Sequence, residues 1–468
     1  MKDISNNVKR VVVFFLVCFI CLITYIIYFD IFKATEIKQS VYNRRLWAKR
    51  NEVVRGSIFD KNNNVLAETK VDSEGNFIRN YPYEELFAHV IGYVQPKCGL
   101  TGLEKSLDKY LIGEEPSNIK SLFSGLDDKK GYNVMTTLDY NVQQKAYDAL
   151  GNNKGAIVVL NPQTGEIISI VSKPSYNPML LSQKWSEISN DKDNPLFNLA
   201  LSGLYPPGST FKIITAISAL ENINDVQSRV FEDKGVLVFN DKESISNYND
   251  KAHGNINLSE AFAISSNVIF ADLGIELGNS KLKSTAEHLY FNKEIPTDVL
   301  SIKKSEFPSL KNNMVGEIAQ SAIGQGKVLV TPFQMALVAS TVANNGLMKN
   351  PYIISEIIDD NGETIKKFSS STLEQVVSLE DAEIVKEYMR QVVDKGTGKN
   401  AQVSNITVCG KTGTSEYMNN SDKTHAWFVG FAPMENPQVA IAVIVENGGT
   451  GGGTAAKIAK DIISIAVK

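Results

Sequence analysis

The chain has 468 residues, 43% hydrophobic and 21% charged, enough for two or three domains with a sizeable core. A formal net charge of -4 leaves no basic surplus, so nucleic acid is not an expected partner. Four cysteines are too few for a disulfide framework, and the four histidines have no metal-ligand spacing, so neither a metal nor a cofactor is expected.

Residues 11 to 29, VVVFFLVCFICLITYIIYF, contain no charge. As a helix rising about 1.5 Å per residue, this run nearly matches a hydrocarbon core of about 30 Å. It predicts a transmembrane helix over 11–30. Lys2, Lys9 and Arg10 precede it, so a tail of residues 1–10 is expected in the cytoplasm and the rest of the chain outside the cell. A cleaved signal peptide is the alternative; the bulky run Tyr25 to Phe32 offers it no small-residue cleavage site. Cys18 and Cys21 lie inside the apolar run, whereas redox and metal CxxC sites occupy polar turns.

In RGSIFDKNNNVLAET, apolar residues flank a turn-rich DKNNN, which reads as a hairpin. GLTGLEKSLDKYLIG reads as a loop and a helix. VMTTLDYNVQQKAYDAL reads as a strand followed by a helix capped by Asp139 or Thr137. A second unit is expected from residue 151, after a first unit at 31–150. It opens with GAIVVLNPQTGEIISIVS, two strands around an NPQTG turn. Helical stretches follow Ser209 and surround residues 258 to 278. VCGKTGTSE, HAWFVGFAP and QVAIAVIVENG read as three successive strands, and a helix closes the chain. Strands at both ends with helices between predict an α+β domain whose first and last segments share one sheet.

Three short motifs stand in order: Ser209-Thr210-Phe211-Lys212, Ser265-Ser266-Asn267 and Lys411-Thr412-Gly413-Thr414. Ser209 follows Pro206-Pro207-Gly208 and precedes the apolar ITAISAL, so it lies where a turn becomes a helix. A serine hydroxyl needs a base to become a nucleophile. No GxSxG element is present, and Lys212, three residues on, is the nearest candidate. A lysine acts as a base only when neutral, and burial and a second cation both lower its pKa. Lys411 is the candidate second cation. Ser265 and Asn267 offer a hydroxyl to relay a proton and an amide to hold a carbonyl. Lys411, Thr412 and Thr414 offer a carboxylate cradle, and Gly413 lets a substrate backbone lie on the strand edge. A lone SxxK, SSN or KTGT is commonplace. The three in this order point to acyl transfer.

These motifs resemble the SxxK, SDN and KTG set of penicillin-binding proteins and serine β-lactamases. The likeness extends over roughly residues 50 to 465, through RGSIFD, NYPYEELFAHVIGYV, GLTGLEKSLDKYLIG, GAIVVLNPQTGEIISIVSKPSYNP, AIGQGKVLVTPFQMALVAS and HAWFVGFAP. The chain is similar to the class B, monofunctional penicillin-binding proteins. That resemblance implies an α+β transpeptidase domain at 151–468, an antiparallel sheet with flanking helices. It also implies an elongated pedestal or dimerisation-like domain at 31–150. Ser209 would be the acylated nucleophile and Lys212 its base. Ser265 and Asn267 would shuttle protons and position the donor peptide. Lys411, Thr412 and Thr414 would bind the substrate carboxylate, and the N–H groups of Ser209 and Thr414 would form the oxyanion hole. The substrates would be peptidoglycan stem peptides ending in D-Ala-D-Ala. β-Lactams would acylate the same serine, and a membrane-embedded glycan polymerase would be the partner. SSN in place of SDN, the anchor and the pedestal favour a transpeptidase. A D,D-carboxypeptidase or β-lactamase, and an inert scaffold or drug sensor, are the alternatives. The sequence is silent on whether elongation, division or sporulation is served.

Overall fold

The computed structural model describes residues 2–33, 47, 50, 52–114, 130–240, 243–417 and 420–467. Parts of the expected pedestal, 34–46, 48–49, 51 and 115–129, lie outside the described residues. Helix α1, Lys2–Tyr28, runs on into a π turn at Phe29–Lys33. It begins earlier than the apolar run, because the polar residues before Val11 continue the same helix. The stretch Asn7–Lys33 is long and apolar enough to cross a membrane, and its side chains are exposed.

The expected pedestal contains strands of a six-stranded sheet. Strands β1 (Ile58–Phe59) and β2 (Val65–Val71) pair antiparallel around the DKNNN turn. The turn forms because the Asp60 carboxylate accepts from Asn62 N, Asn64 N and Asn64 Nδ2 at 2.8, 2.8 and 2.9 Å. β3 (Phe77–Asn80) adds to β2, and β4 (Asn133–Thr136) runs parallel to β1. Two strands from far along the chain, Ile354–Ile358 and Thr364–Lys367, complete the six-stranded sheet. Beside it Glu104 is buried, held by Arg55 at 2.6 Å and Arg79 at 2.7 Å. Burial alone would raise the Glu104 pKa; Arg79 and Arg55 outweigh it and hold the carboxyl below its usual range.

Helix α2 (Tyr140–Leu150) is capped by Asp139, whose carboxylate accepts from Asn141 N and Val142 N. Although the sequence places it at the end of the first unit, its apolar face packs on the later sheet. Val142, Ala146 and Leu150 join a core with Ile157 and Val159 of β5 (Gly155–Leu160). β5 pairs antiparallel with β6 (Ile167–Lys173). Helices α3 (Lys212–Asn222), α4 (Leu258–Ile264), α5 (Asn267–His288) and α6 (Pro332–Ala343) follow. The last strands, β7 (Cys409–Tyr417), β8 (Asn420–Ala432) and β9 (Val439–Val445), precede helix α7 (Ala456–Ala466).

The five strands form one antiparallel sheet in the order β7-β8-β9-β5-β6, so the first and last segments of this unit share a sheet. Successive side chains of a strand point to opposite faces. Ile157, Val159, Ile441 and Val443 therefore pack under α2 and α7, while Ala156, Val158, Ala442 and Ile444 pack in the main core with α6. Strands covered on both faces read as unbroken apolar runs, as GAIVVL and VAIAVIV do. Helix α6 is buried at all twelve residues, which is why it carries no polar stripe.

Candidate active site

The YPPG turn is fastened to the sheet before the chain reaches Ser209. Tyr205 OH donates to Glu446 Oε1 (2.8 Å), Trp427 Nε1 to Pro206 O (3.1 Å) and Gly208 N to Gly324 O (2.9 Å). Gly208 has φ +54°, and a Cβ there would sit 2.6 Å from Thr414 O. No other residue meets both demands without strain. Gly208–Phe211 then make one 3-10 turn, and α3 begins at Lys212. Phe211 is fully buried between Phe291 and Phe307, with ring centroids 5.7 and 5.5 Å away. This anchor leaves the neighbouring Ser209 half-buried at the mouth of the turn.

The SSN motif is the break between α4 and α5. Ser265 ends α4 in the left-handed conformation, φ 63° and ψ 41°. A non-glycine residue held there costs on the order of 1 kcal/mol and persists where surrounding contacts dictate it. Ser266 caps α5 by accepting from Ile269 N (3.1 Å).

Both motif lysines are fully buried. Lys212 Nζ donates to Ser265 O (2.7 Å), Ser265 Oγ (3.3 Å) and Asn267 Oδ1 (2.7 Å). The i to i+3 spacing pairs Lys212 with Ser209; among the described residues its hydrogen bonds go to the second motif instead. Three donors find three acceptors there. Lys411 Nζ donates to the same Ser265 Oγ (2.9 Å) and to Thr412 O (3.2 Å). Ser265 Oγ thus lies between two amines, and neither lysine has an ion-pair partner among the described residues. Burial first, and then the Lys411 charge, push the Lys212 pKa well below its ordinary value, against an upward pull from Asp233. Burial lowers Lys411 to about 7. The neutral amine a base requires is therefore within reach.

On β7 the two-residue period divides the third motif. Lys411 and Gly413 share one face, and a Cβ on Gly413 would sit 2.9 Å from both Pro207 O and Thr210 Cγ2. Thr412 and Thr414 share the other. Thr412 Oγ1 is 2.5 Å from Thr397 Oγ1, and the exposed Thr414 Oγ1 accepts from Gly451 N (3.4 Å). The structure brings Ser265, Asn267, Lys212 and Lys411 into one hydrogen-bonded group. The threonines border it from the opposite face of the strand.

Sequence reasoning missed Thr397, and also Asp233, Ser246 and Asn247, which lie behind the second motif. Thr397 sits in a GTG triplet between α4 and the glycine run, since Thr397 N donates to Ala263 O (3.3 Å) and a Cβ on Gly452 would sit 2.4 Å from Thr397 O. That triplet was a usable signal; the other three carry none.

Comparison with known proteins shows the family. A model of the penicillin binding protein transpeptidase domain matches residues 155–464, and one of the penicillin binding protein A dimerisation domain matches residues 55–134. The chain belongs to the penicillin-binding protein transpeptidase family. It is similar to the peptidoglycan D,D-transpeptidase PbpA of Mycolicibacterium smegmatis, at 31% identity over 99% of both chains. The crystal structure of PBPA from Mycobacterium tuberculosis matches with a TM-score of 0.83 at 30% identity, over 89% of this chain and all of that one. Penicillin-binding protein A from M. tuberculosis as its penicillin G acyl-enzyme complex matches with a TM-score of 0.82 at 31% identity, over 89% of this chain and 100% of that one.

Proposed function

We propose that this chain is a serine D,D-transpeptidase of cell-wall synthesis, with Ser209 as the acylated nucleophile. The observation that carries the reading is the Lys212–Ser265–Lys411 group, two buried amines on one hydroxyl, with the half-buried Ser209 three residues before Lys212. Neutral Lys212 takes the Ser209 proton as Oγ attacks the carbonyl carbon between two D-alanines of a stem peptide. The N–H groups of Ser209 and Thr414 receive the oxyanion. Ser265 passes a proton to the leaving amine, the C–N bond breaks, and the last D-alanine departs. An amine of a second stem peptide then attacks the ester and loses its proton through the same relay, forming the cross-link and freeing Ser209. Asn267 holds the donor peptide, and Lys411, Thr412 and Thr414 bind its carboxylate, with the strand beside Gly413 open to its backbone. β-Lactams acylate Ser209 in the substrate's place.

In this reading residues 1–10 are a cytoplasmic tail and 11–30 span the membrane. Residues 31–150 form an extracytoplasmic pedestal and 151–468 the transpeptidase domain. The pedestal docks on a membrane-embedded glycan polymerase. A pull-down from solubilised membranes that never recovers such a protein removes that partner.

The central test is intact mass after incubation with penicillin. The wild type gains one drug mass and Ser209→Ala gains none. A gain in both moves the nucleophile elsewhere. A gain in neither brings the inert-scaffold alternative forward. Stem-peptide substrates then separate the transferase, which makes a dimer, from a hydrolase, which releases only D-alanine.

A further inference from the structure

Asp233 ends the strand Val230–Asp233 and is 1% exposed. Its carboxylate accepts from Gly235 N (2.9 Å), from Asn247 Nδ2 on both oxygens (2.8 and 2.9 Å) and from Ser266 Oγ (2.7 Å). The two side chains it holds receive the leading N–H groups of α5. Asn247 Oδ1 accepts from Asn267 N (2.8 Å) and Val268 N (3.2 Å), and Ser266 Oγ accepts from Ile269 N (3.1 Å). Next to Asn247, Ser246 O accepts from Asn267 Nδ2 (2.8 Å), which turns Asn267 Oδ1 toward Lys212.

We propose that Asp233 is a positioning residue for the catalytic base: through Asn247 and Ser266 it sets the first turn of α5 and the Asn267 amide, and its carboxylate, bonded to Ser266 between the two residues that hold Lys212, brings a negative charge to that side of the base. The proposal rests on Lys212 acting as the base for Ser209. The cleft otherwise gathers positive potential, from two lysines and the N-terminus of α5. Among the described residues the charged groups acting on Lys212 are Lys411, from β7, and Asp233. Helix α5 adds the Phe270 ring, 5.5 Å from Nζ, and the end of α4 adds Ser265. Burial and Lys411 drive the proton off Lys212, and Asp233 opposes them. A base that binds protons too weakly is a poor acceptor for a serine proton.

Asp233→Asn separates charge from shape. The side chain keeps its size and the Ser266 hydroxyl can rotate to accept from the new amide; the amide N–H that faces Asn247 Nδ2 costs part of the scaffold, so the shift of the profile, not the rate, reads the charge. The rate of acylation by a fluorescent penicillin is measured on the full detergent-solubilised chain across about pH 5 to 9. Asp233 raises the Lys212 pKa, so its neutralisation lowers that pKa, and the acid limb moves to lower pH by roughly one unit. Asp233→Ala also loses the scaffold. Its plateau rate falls roughly tenfold with the same shift of the acid limb, and amide exchange over Asn267–Phe270 quickens.

A wild-type profile and rate in Asp233→Asn overturn the proposal. A uniform loss without a shift leaves a helix cap and overturns the role in tuning the base. Where Asp233→Ala does not fold, Asp233→Asn decides. If the wild type takes no penicillin at all, the nucleophile reading falls by itself. Exchange over Asn267–Phe270 still tests the placing role, and unchanged exchange in both variants overturns it.

Discussion

Glu104 in the pedestal and Lys212 in the cleft are both ionisable side chains with no exposed surface, and the chain treats them in opposite ways. Glu104 is gripped by Arg55 and Arg79, and its carboxyl stays charged because burial is outweighed by two cations. Lys212 is given neutral acceptors and a second buried amine, so burial and like charge act in the same direction and its proton is loosened. A buried group surrounded by opposite charge has no proton to exchange near neutral pH, and it fastens loops together. A buried group beside its own sign gives up stability and gains acid–base chemistry. Distinguishing the two clusters requires knowing the neighbours, since both are simply buried charges.

The largest effect expected from breaking this contrast is in Lys212→Met. Loss of the base lowers the rate of penicillin acylation by about 10³-fold. The melting temperature falls only modestly: Ser265 O and Asn267 Oδ1 lose a donor, while an apolar chain of similar length replaces an amine whose burial is itself costly. A variant that melts much earlier would place Lys212 with the structural charges.

Glu104→Gln is the mirror experiment. It leaves Arg79 without an ion-pair partner among the described residues, while Arg55 keeps Asp108 at 2.6 Å; the cost in denaturant unfolding is about 3 kcal/mol, and the folded fraction acylates at the wild-type rate. The penalty also has a pH signature. The folded Glu104 pKa lies below the unfolded one, so its contribution is complete above the ordinary carboxylate range and is lost as pH falls through the folded value. The gap between wild type and variant therefore narrows in acid. A gap that persists there contradicts the ion-pair account.

The smallest effect sharpens the like-charge half. Lys411 depresses the Lys212 pKa, so Lys411→Met raises it and moves the acid limb of the acylation profile to higher pH, by roughly one unit. Substrate binding weakens as well, so the limb is read from the rate at saturating drug. A limb that stays in place means that burial alone sets the base.

Much of this was legible beforehand, and what was legible is local. The DKNNN hairpin, the Asp139 cap, the NPQTG turn and the three closing strands each depend on contacts within a few residues, and all formed as expected. Each of the three motifs is likewise one turn or one strand segment, and hydrogen bonds join Lys212, Ser265, Asn267 and Lys411. The boundary expected at 151 leaves helix α2 in the first unit, and local sequence does not state which sheet its buried face meets. The structure lays it on β5 and α7. Ile354–Ile358 returns to the pedestal sheet across more than two hundred residues of chain, a pairing with no trace in local composition.

The sequence by itself determined the local turns, the closing strands, the membrane-length helix, the family motifs and the residue types that acyl transfer demands. These follow from side-chain periodicity, turn chemistry and short-range hydrogen bonding. Only the tertiary structure decided that Lys212 bonds to Ser265 and Asn267, that Thr412 turns to Thr397, and that Asp233 stands behind the second motif. The physical reason is distance along the chain. Burial and Coulomb interactions act through space, and they set the proton affinity of a lysine through neighbours that may be near or far in sequence.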